Sequence, residues 1–378
     1  MAKVILFVTG TRADFGKLKA LIQATDMLEG FEYRLFVTGM HMMARYGHTY
    51  REIEKSGFTM EKYCNQYTNE PMDLILANTI NGLSRYVHEM RPDAIVIHGD
   101  RVEALAGAIV GSISNIRVIH IEGGERSGTI DDSLRHAITK LSHVHCVANA
   151  EAKARVIQLG EAAESIYVMG SADIDYMDPA KLPTLTEVKD HYDIPFDRYH
   201  IVLFHPVTTE VEQMAQHART LVDALLASSD AFIVIYPNND NGTHDILREY
   251  ERLEGNPRIK IYPSVRFEYF LTLIHHAVSI IGNSSAGIRE APIFGVPSIN
   301  IGTRQSLRFK SESIIDCDYD QREIMQAITK VNQLTERFAA CEYFGTGDSQ
   351  ARFCQMLTDE AMWQMPIQKV FHDIVVEG

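Results

Sequence analysis

Between His98 and His136 the chain reads HGDR, then an apolar run, then HIEGGERSGTIDDSLRH. Asp100, Glu103, Glu122, Glu125, Asp131 and Asp132 all fall here, among Gly123, Gly124, Gly128 and Thr129, residues that turn a chain rather than fill a core. Asp100 and Glu122 come just past the apolar runs AIVIH (94–98) and RVIHI (117–121). Ligands bind at the carboxyl ends of strands in open parallel sheets, and carboxylates gathered there can remove and deliver protons. A single acid after a strand is as readily a helix cap or a turn former. The set together, interleaved with His98, His120, Arg101, Arg135 and His136, favours proton-transfer chemistry.

A second constellation is GNSSAGIREA (282–291), directly after VSII. A Gly-Asn-Ser-Ser turn opening a helix offers backbone N–H groups, two hydroxyls and the positive end of the helix dipole, which suits a diphosphate. An exposed dipole contributes only ~0.3–1 kcal/mol, so Arg304 of GTRQ is expected to assist, and Glu290 to accept from ribose hydroxyls. Each serine alone is better read as a cap; Ser284, Ser285, Glu290 and Arg304 together favour a nucleotide. His205 of HPVTTE and Asn238 of PNNDNG also follow apolar runs and either reach phosphate or sugar oxygens or complete their own turns.

Near the N-terminus, TGTRADFGKLK (9–19) makes Arg12 and Lys17 candidates for gripping phosphate. Its Gly10-to-Gly16 spacing is one residue too long for a P-loop, and Leu18 stands where Ser or Thr is required, which excludes that ATP site. No GxGxxG follows a strand-like run, which argues against a nicotinamide cofactor. His143, His145 and Cys146, and the pair His275–His276, lack metal-ligand spacing and are better explained by packing. Neither metal nor cofactor is expected.

These residues need a frame, and the apolar runs supply it. KVILFVT (3–9), YRLFVT (33–38), AIVIH, RVIHI, VHCVA (144–148) and SIYVMG (165–170) are short, β-branched and bounded by Gly, Asp or Asn, as buried parallel strands are. RVEALAGAIVGSISN (101–115) reads as a helix with small residues for close packing. A polar, proline-spaced segment, DPAKLPTLTEV (178–188), reads as a linker. The alternation then restarts with HIVLF (200–204), AFIVIYP (231–237), IKIYP (259–263), AVSIIGNSS (277–285) and VPSINIG (296–302). The α/β expectation is therefore two doubly wound, Rossmann-like domains facing across a cleft. Their bounds are residues 1–177, with the catalytic carboxylates, and 178–350, binding the nucleotide; a helical segment, 351–378, with Trp363 and a stop at Pro366, packs back over the junction.

Composition narrows the partners. The 378 residues carry 36 basic and 50 acidic side chains, a net charge of −14, with no basic block, which disfavours nucleic acid. No apolar run approaches the ~18 residues of a membrane helix. Five scattered cysteines without a CxxC pair, and a start without a secretory-signal pattern, suit reduced thiols in the cytoplasm.

Taken in order, GTRADFGKL, HGDRVEAL, HIEGGERSGTIDDSLRHAITKL, PNND, GNSSAGIRE and GTRQ resemble the hydrolysing UDP-N-acetylglucosamine 2-epimerases of sialic-acid biosynthesis, over roughly residues 4–310. Non-hydrolysing relatives typically carry HVEAGLRSG at the central motif; Gly124, Glu125 and IDDSLRH point to the hydrolysing branch. The resemblance implies a glycosyltransferase-B-type fold, with UDP held mainly by the C-terminal domain. It implies UDP contacts from Arg12, Arg101, His205, Asn238, Ser284, Ser285, Glu290 and Arg304, and catalytic carboxylates at Asp100, Glu122 and Asp131. It implies anti elimination of UDP to 2-acetamidoglucal and hydration to N-acetylmannosamine, without metal or redox cofactor; a homodimer or homotetramer is expected. Relatives act on UDP-2,4-diacetamido-2,4,6-trideoxyglucose, which stays open as the substrate. A glycosyltransferase and a non-catalytic UDP-sugar sensor are rivals that the acid-rich central motif disfavours.

Overall fold

The computed structural model describes residues 2–127 and 130–373; the turn residues Gly128 and Thr129 lie outside them. The chain forms two compact units. One comprises Met1–Glu125, Asp131–Tyr176 and Tyr343–Gly378, the other Arg126–Ile130 and Met177–Glu342.

The first unit is built on seven strands: β1 (Lys3–Thr9), β2 (Phe31–Val37), β3 (Glu61–Lys62), β4 (Ala94–His98), β5 (Arg117–Ile121), β6 (Val144–Val147) and β7 (Ile166–Val168). They pair in parallel in the order β3-β2-β1-β4-β5-β6-β7. Runs such as Ile5-Leu6-Phe7 and Ala94-Ile95-Val96-Ile97 have no exposed surface, because helices cover both faces of a parallel sheet. Fully burying each such side chain contributes about 1.5–3 kcal/mol. The strand order reverses between β1 and β4, the place at which open parallel sheets bind ligands, so the loops after Thr9 and His98 flank the first unit's switch point. Helix Arg12–Met27 follows β1, capped by Thr11, whose hydroxyl accepts the Asp14 N–H at 3.1 Å. Helix Val102–Ile113 follows β4 and packs closely as expected: a Cβ on Gly107 would stand 2.5 Å from Ile97 Cγ2.

Residues 343–373 complete this same unit. Helix Ser349–Thr358 supplies Phe353, Met356 and Leu357, and Met362 follows; all four join the core beneath β1, β5 and β6. Ser171 N–H donates to Phe344 O at 2.7 Å where the chain leaves and returns. Beyond Trp363 the chain runs as a strap. Arg117 donates to the Trp363 and Met365 carbonyls at 3.0 and 2.8 Å, and Lys369 donates to Lys140 O and Glu161, both at 2.7 Å.

The second unit carries β8 (His200–Leu203), β9 (Phe232–Ile235), β10 (Ile259–Tyr262), β11 (Ile280–Gly282), β12 (Ser298–Ile301) and β13 (Ile314–Cys317), parallel in the order β10-β9-β8-β11-β12-β13. Its reversal lies between β8 and β11. The segment expected as a linker is partly helical: Thr184 and Glu187 form a reciprocal capping box that starts helix Leu185–Tyr192. The short exposed β3 and the edge strand β13 were not expected. Among the described residues no helix is long and apolar enough to cross a membrane, and all five cysteines are free.

Candidate active site

At the carboxyl edge of the first sheet, the loops after β1, β4 and β5 are joined by charges. Gly10 N–H donates to Asp14 Oδ2 at 3.1 Å. His98 ends β4 with its ring nearly buried, Nδ1 3.1 Å from Asp14 Oδ1 and Nε2 2.9 Å from Glu122 Oε2. Burial alone pulls this imidazole down, but Glu122 and Asp14 reverse the effect and raise its pKa to about 9, so His98 is a cation at neutral pH. Lys17 Nζ lies 3.5 Å from the same Glu122 oxygen and 3.6 Å from Asp173 Oδ2. Glu122 thus sits buried against two cations. Its backbone is left-handed, φ +73°, while its N–H donates to Cys146 O at 2.9 Å. For a residue with a Cβ this conformation costs on the order of 1–3 kcal/mol, and such strain persists where surrounding contacts over-determine it.

Asp100 is placed by a second device. Gly99, at φ +75°, turns the chain while its N–H bonds Ile121 O at 2.9 Å. Asp100 then meets the guanidinium of Arg135, which has no exposed surface. Burial disfavours the charged guanidinium, but Asp100, Glu125, Glu122 and Asp131 outweigh it and hold Arg135 protonated. The capping position of helix Val102–Ile113 belongs to Arg101, so Asp100 is not its cap. Asp131 lies in the first turn of helix Ile130–Leu141. The three candidate carboxylates therefore share the field of one buried arginine. Arg12 pairs with Glu52, and Arg101 Nε is 3.4 Å from Glu103 Oε2. Lys17, read from the sequence as a candidate phosphate grip, stands between Glu122 and Asp173. His120 Nε2–H donates to Gly99 O at 2.8 Å and Nδ1 accepts from Thr139 Oγ1 at 3.2 Å, and burial pushes its pKa down to about 3, leaving a neutral packing residue.

In the second unit the loops converge on Asn283. Its side chain has no exposed surface; Oδ1 accepts the His205 N–H at 2.7 Å and Nδ2 donates to His205 O at 2.8 Å. His205 Nδ1 accepts the Asn238 N–H at 3.0 Å, so in the neutral ring the proton is on Nε2, a donor. Asn283 O receives Gln305 Nε2 at 2.9 Å and Arg304 Nη1 at 3.4 Å. Asn238 commits its amide to its own turn: Nδ2 donates to Asp240 Oδ2, and Oδ1 accepts the Asp240 N–H at 3.3 Å. Glu210 accepts from Thr303 Oγ1 and, at 3.0 Å, from Tyr319 OH, tying the HPVTTE loop to the GTRQ loop.

The helix expected to open at Ser284 is not formed. Ser284 caps a single 3-10 turn, Ser285–Gly287, by accepting the Ala286 N–H at 3.3 Å, and buried Glu290 starts a separate one-turn helix, Glu290–Ile293. Gly287 packs so tightly that a Cβ would lie 2.3 Å from Ser298 Oγ, and Pro292, with no N–H to give the carbonyl one turn back, interrupts a regular helix. A summed macrodipole is therefore missing, and an anion here would rely on individual N–H groups and on basic side chains. Among the described residues no three His, Cys, Asp or Glu side chains are placed to hold a metal ion. His143 bonds Val118 N–H and Ile367 O, both at 3.0 Å, and His145 bonds Glu161 at 3.1 Å.

Asp14, Asn283 and Glu210 were not singled out as site residues from the sequence, and His98 and Arg135 only as members of the charged cluster, without a role of their own. His98 and Asn283 stand just at strand ends, a usable signal; the partners of the others lie far away along the chain.

Two doubly wound parallel sheets with chemistry-bearing loops at their carboxyl edges define the glycosyltransferase-B-type class of α/β proteins, and a solved structure shares the fold. It is that of Methanocaldococcus jannaschii UDP-GlcNAc 2-epimerase in complex with UDP-GlcNAc and UDP, with a TM-score of 0.78 at 21% identity over 94% of this chain and 99% of that one. Within that class the chain belongs to the UDP-N-acetylglucosamine 2-epimerase family, whose model matches residues 23–358. It is 48% identical to the UDP-N-acetylglucosamine 2-epimerase of Neisseria meningitidis serogroup B, over 98% of this chain and 99% of the relative. It is 32% identical to the hydrolyzing UDP-N,N'-diacetylbacillosamine 2-epimerase of Legionella pneumophila, over 94% and 96%.

Proposed function

We propose that the protein is a hydrolysing 2-epimerase, converting UDP-N-acetylglucosamine and water to N-acetylmannosamine and UDP. The observation that carries this reading is Glu122, set between His98 and Lys17 on a strained backbone, with Asp100 paired to Arg135 at the same sheet edge. Carbon 2 of the sugar is not flanked by a carbonyl, so its proton becomes removable only as the bond from carbon 1 to UDP breaks and positive charge grows at carbon 1. A carboxylate takes that proton, the C–H electrons form the double bond, and the C–O pair leaves with UDP, giving 2-acetamidoglucal. Water then adds its oxygen to carbon 1 while a proton is delivered to carbon 2 from the opposite face, giving N-acetylmannosamine. Asp100, Glu122 and Asp131 are the proposed acids and bases.

UDP is assigned to the second unit, through His205 Nε2–H, Ser284, Ser285 and Arg304, with Glu290 on the ribose and Asn238 alongside. Arg12 and Arg101 of the first unit are assigned to the leaving diphosphate, whose developing charge such donors stabilise. The same two steps on UDP-2,4-diacetamido-2,4,6-trideoxyglucose form a second reading, favoured by the Legionella relative.

Incubation with UDP-N-acetylglucosamine in heavy water tests the proposal. Free UDP and N-acetylmannosamine deuterated at carbon 2 are expected. UDP-N-acetylmannosamine that keeps its nucleotide would overturn the hydrolysing step, transfer to an acceptor would identify a glycosyltransferase, and binding without turnover a sensor. Faster turnover of the diacetamido sugar would move the assignment to the second reading.

A further inference from the structure

We propose that Glu103 accepts a hydrogen bond from a ring hydroxyl of the substrate's sugar and is a specificity-determining contact of the first unit. The inference rests on the UDP-sugar reading above. Glu103 lies two residues past Arg101 of HGDR, as the second residue of helix Val102–Ile113, and is 2% exposed. Neither carboxylate oxygen has a hydrogen-bond partner among the described residues. Its contact with Arg101 Nε, at 3.4 Å, lacks the alignment of a hydrogen bond. A carboxylate buried with its lone pairs unmet is strongly unfavourable, and such a group calls for a physical reason.

The surroundings are cleared for this side chain rather than arranged to satisfy it. A Cβ on Gly10 would stand 2.8 Å from Glu103 Cδ, and one on Gly39, at φ +64°, would stand 2.6 Å from Oε1. Both glycine N–H groups are already used: Gly10 donates to Asp14 Oδ2 at 3.1 Å and Gly39 to Asn65 Oδ1 at 3.0 Å. His41, whose N–H reaches Gly10 O, is also committed, with its ring nitrogens at Thr9 Oγ1 (3.2 Å) and Thr49 Oγ1 (2.7 Å). Arg12 on the adjacent turn pairs with Glu52. The chain thus buries beside the loop after β1 a carboxyl group whose oxygens have no hydrogen-bond partner among the described residues, with Arg101 Nε near it as an ion pair and the Gly10 and Gly39 N–H groups turned elsewhere. The missing partner has to be a donor. A phosphate cannot donate and repels a carboxylate, and no metal-holding cluster is present among the described residues. A neutral hydroxyl fits, since O–H to carboxylate bonds are short and strong. UDP-N-acetylglucosamine offers hydroxyls on the hexose and on the ribose; the Gly10 turn ties Glu103 to the Asp14–His98–Glu122 series, the proposed site of sugar chemistry, so the hexose is the assigned source.

The test is the wild-type protein and Glu103→Gln, each assayed with UDP-N-acetylglucosamine and its 3-, 4- and 6-deoxy analogues, with UDP affinity measured by calorimetry. The variant is expected to lose roughly tenfold or more in kcat/KM on the parent sugar while its UDP affinity is unchanged. One deoxy analogue should lose a similar factor with the wild type and nothing further with the variant, which is the signature of a direct pair. Equal losses for every analogue in the variant, an unchanged kcat/KM on the parent, or a UDP affinity that falls in step with it (the ribose as source) would each overturn the proposal. If the variant does not fold, the wild type decides: indifference to all three deletions overturns it. If the wild type turns over no UDP-N-acetylglucosamine, the functional reading has failed, and the same analogue comparison made on binding affinities still decides whether Glu103 meets a sugar hydroxyl.

Discussion

The two sheets present equivalent edges, past β1 and β4 in one and past β8 and β11 in the other, yet hold their loops by different means. At the first, ions hold ions: Asp100 with Arg135, Glu122 with His98 and Lys17, Arg12 with Glu52. At the second, dipoles do much of the fixing: the Asn283 amide on the His205 backbone, Gln305 on the Asn283 carbonyl, and His205 Nδ1 on the Asn238 N–H. An ionic frame fixes the protonation state of the groups it holds, which suits proton transfer. A dipolar frame fixes position and leaves charge balance to the ligand, which suits gripping an anion.

That contrast can be broken most decisively at Glu122. Glu122→Gln keeps volume but removes the proton acceptor, so turnover should fall ~10²–10⁴-fold with UDP affinity intact; Asp100→Asn should fall ~100-fold or more. Rapid quench and calorimetry on folded variants measure both, and a matched loss of UDP affinity would erase the division of labour. Next is Arg135→Met, which leaves Asp100 without its buried cation. Stability should drop by about 3–5 kcal/mol, read from urea unfolding, because an uncompensated charge remains.

The ionic frame also makes a prediction about pH. His98 is raised from 6.5 to about 9, so its contribution to stability is complete below about pH 6.5 and is lost as pH rises through about 9. At about 1.4 kcal/mol per pH unit the shift corresponds to roughly 3 kcal/mol. Melting curves of wild type and His98→Asn should therefore converge above pH 9 and diverge below 7; a constant gap would remove His98 from the frame. For the dipolar edge, Arg304→Ala should raise the UDP dissociation constant about tenfold or more, the ~1.5–3 kcal/mol of a charge-assisted bond. Asn238→Ala should change it least, by less than about threefold, because that amide bonds within its own turn.

Much of this frame was legible in the sequence. β1, β4 and β5 run over the very residues that their β-branched apolar runs mark, since a strand buried on both faces writes itself as a continuous run. β3 is two exposed residues and β13 is half-buried, so neither leaves such a run. The start of helix Leu185–Tyr192 was hidden in a proline-spaced stretch, although Thr184 and Glu187 spell out a capping box. At Ser284 the error ran the other way: a serine pair after a strand does suggest a helix start, but Pro292 has no N–H to give the carbonyl one turn back, and the segment breaks into a 3-10 turn and a short helix. At the site, the acids and the cations near them were visible, whereas which cation holds which acid was not. Lys17 meets Glu122 across 105 positions, and Arg135 meets Asp100 across 35, distances over which residue spacing carries no information.

The Lys369 strap and the Phe353 helix bear on how the protein is made. Synthesis proceeds from the N-terminus, and domains generally fold as units as they emerge. The first unit draws its last core side chains from positions 353–362, so its sheet leaves the ribosome before the residues that seal it. The second unit, almost all of it within 177–342, is finished sooner. The order of maturation is then inverted relative to the order of translation. The half bearing the proposed acid–base groups stays open, and within reach of a chaperone, until residues 353–362 have been made.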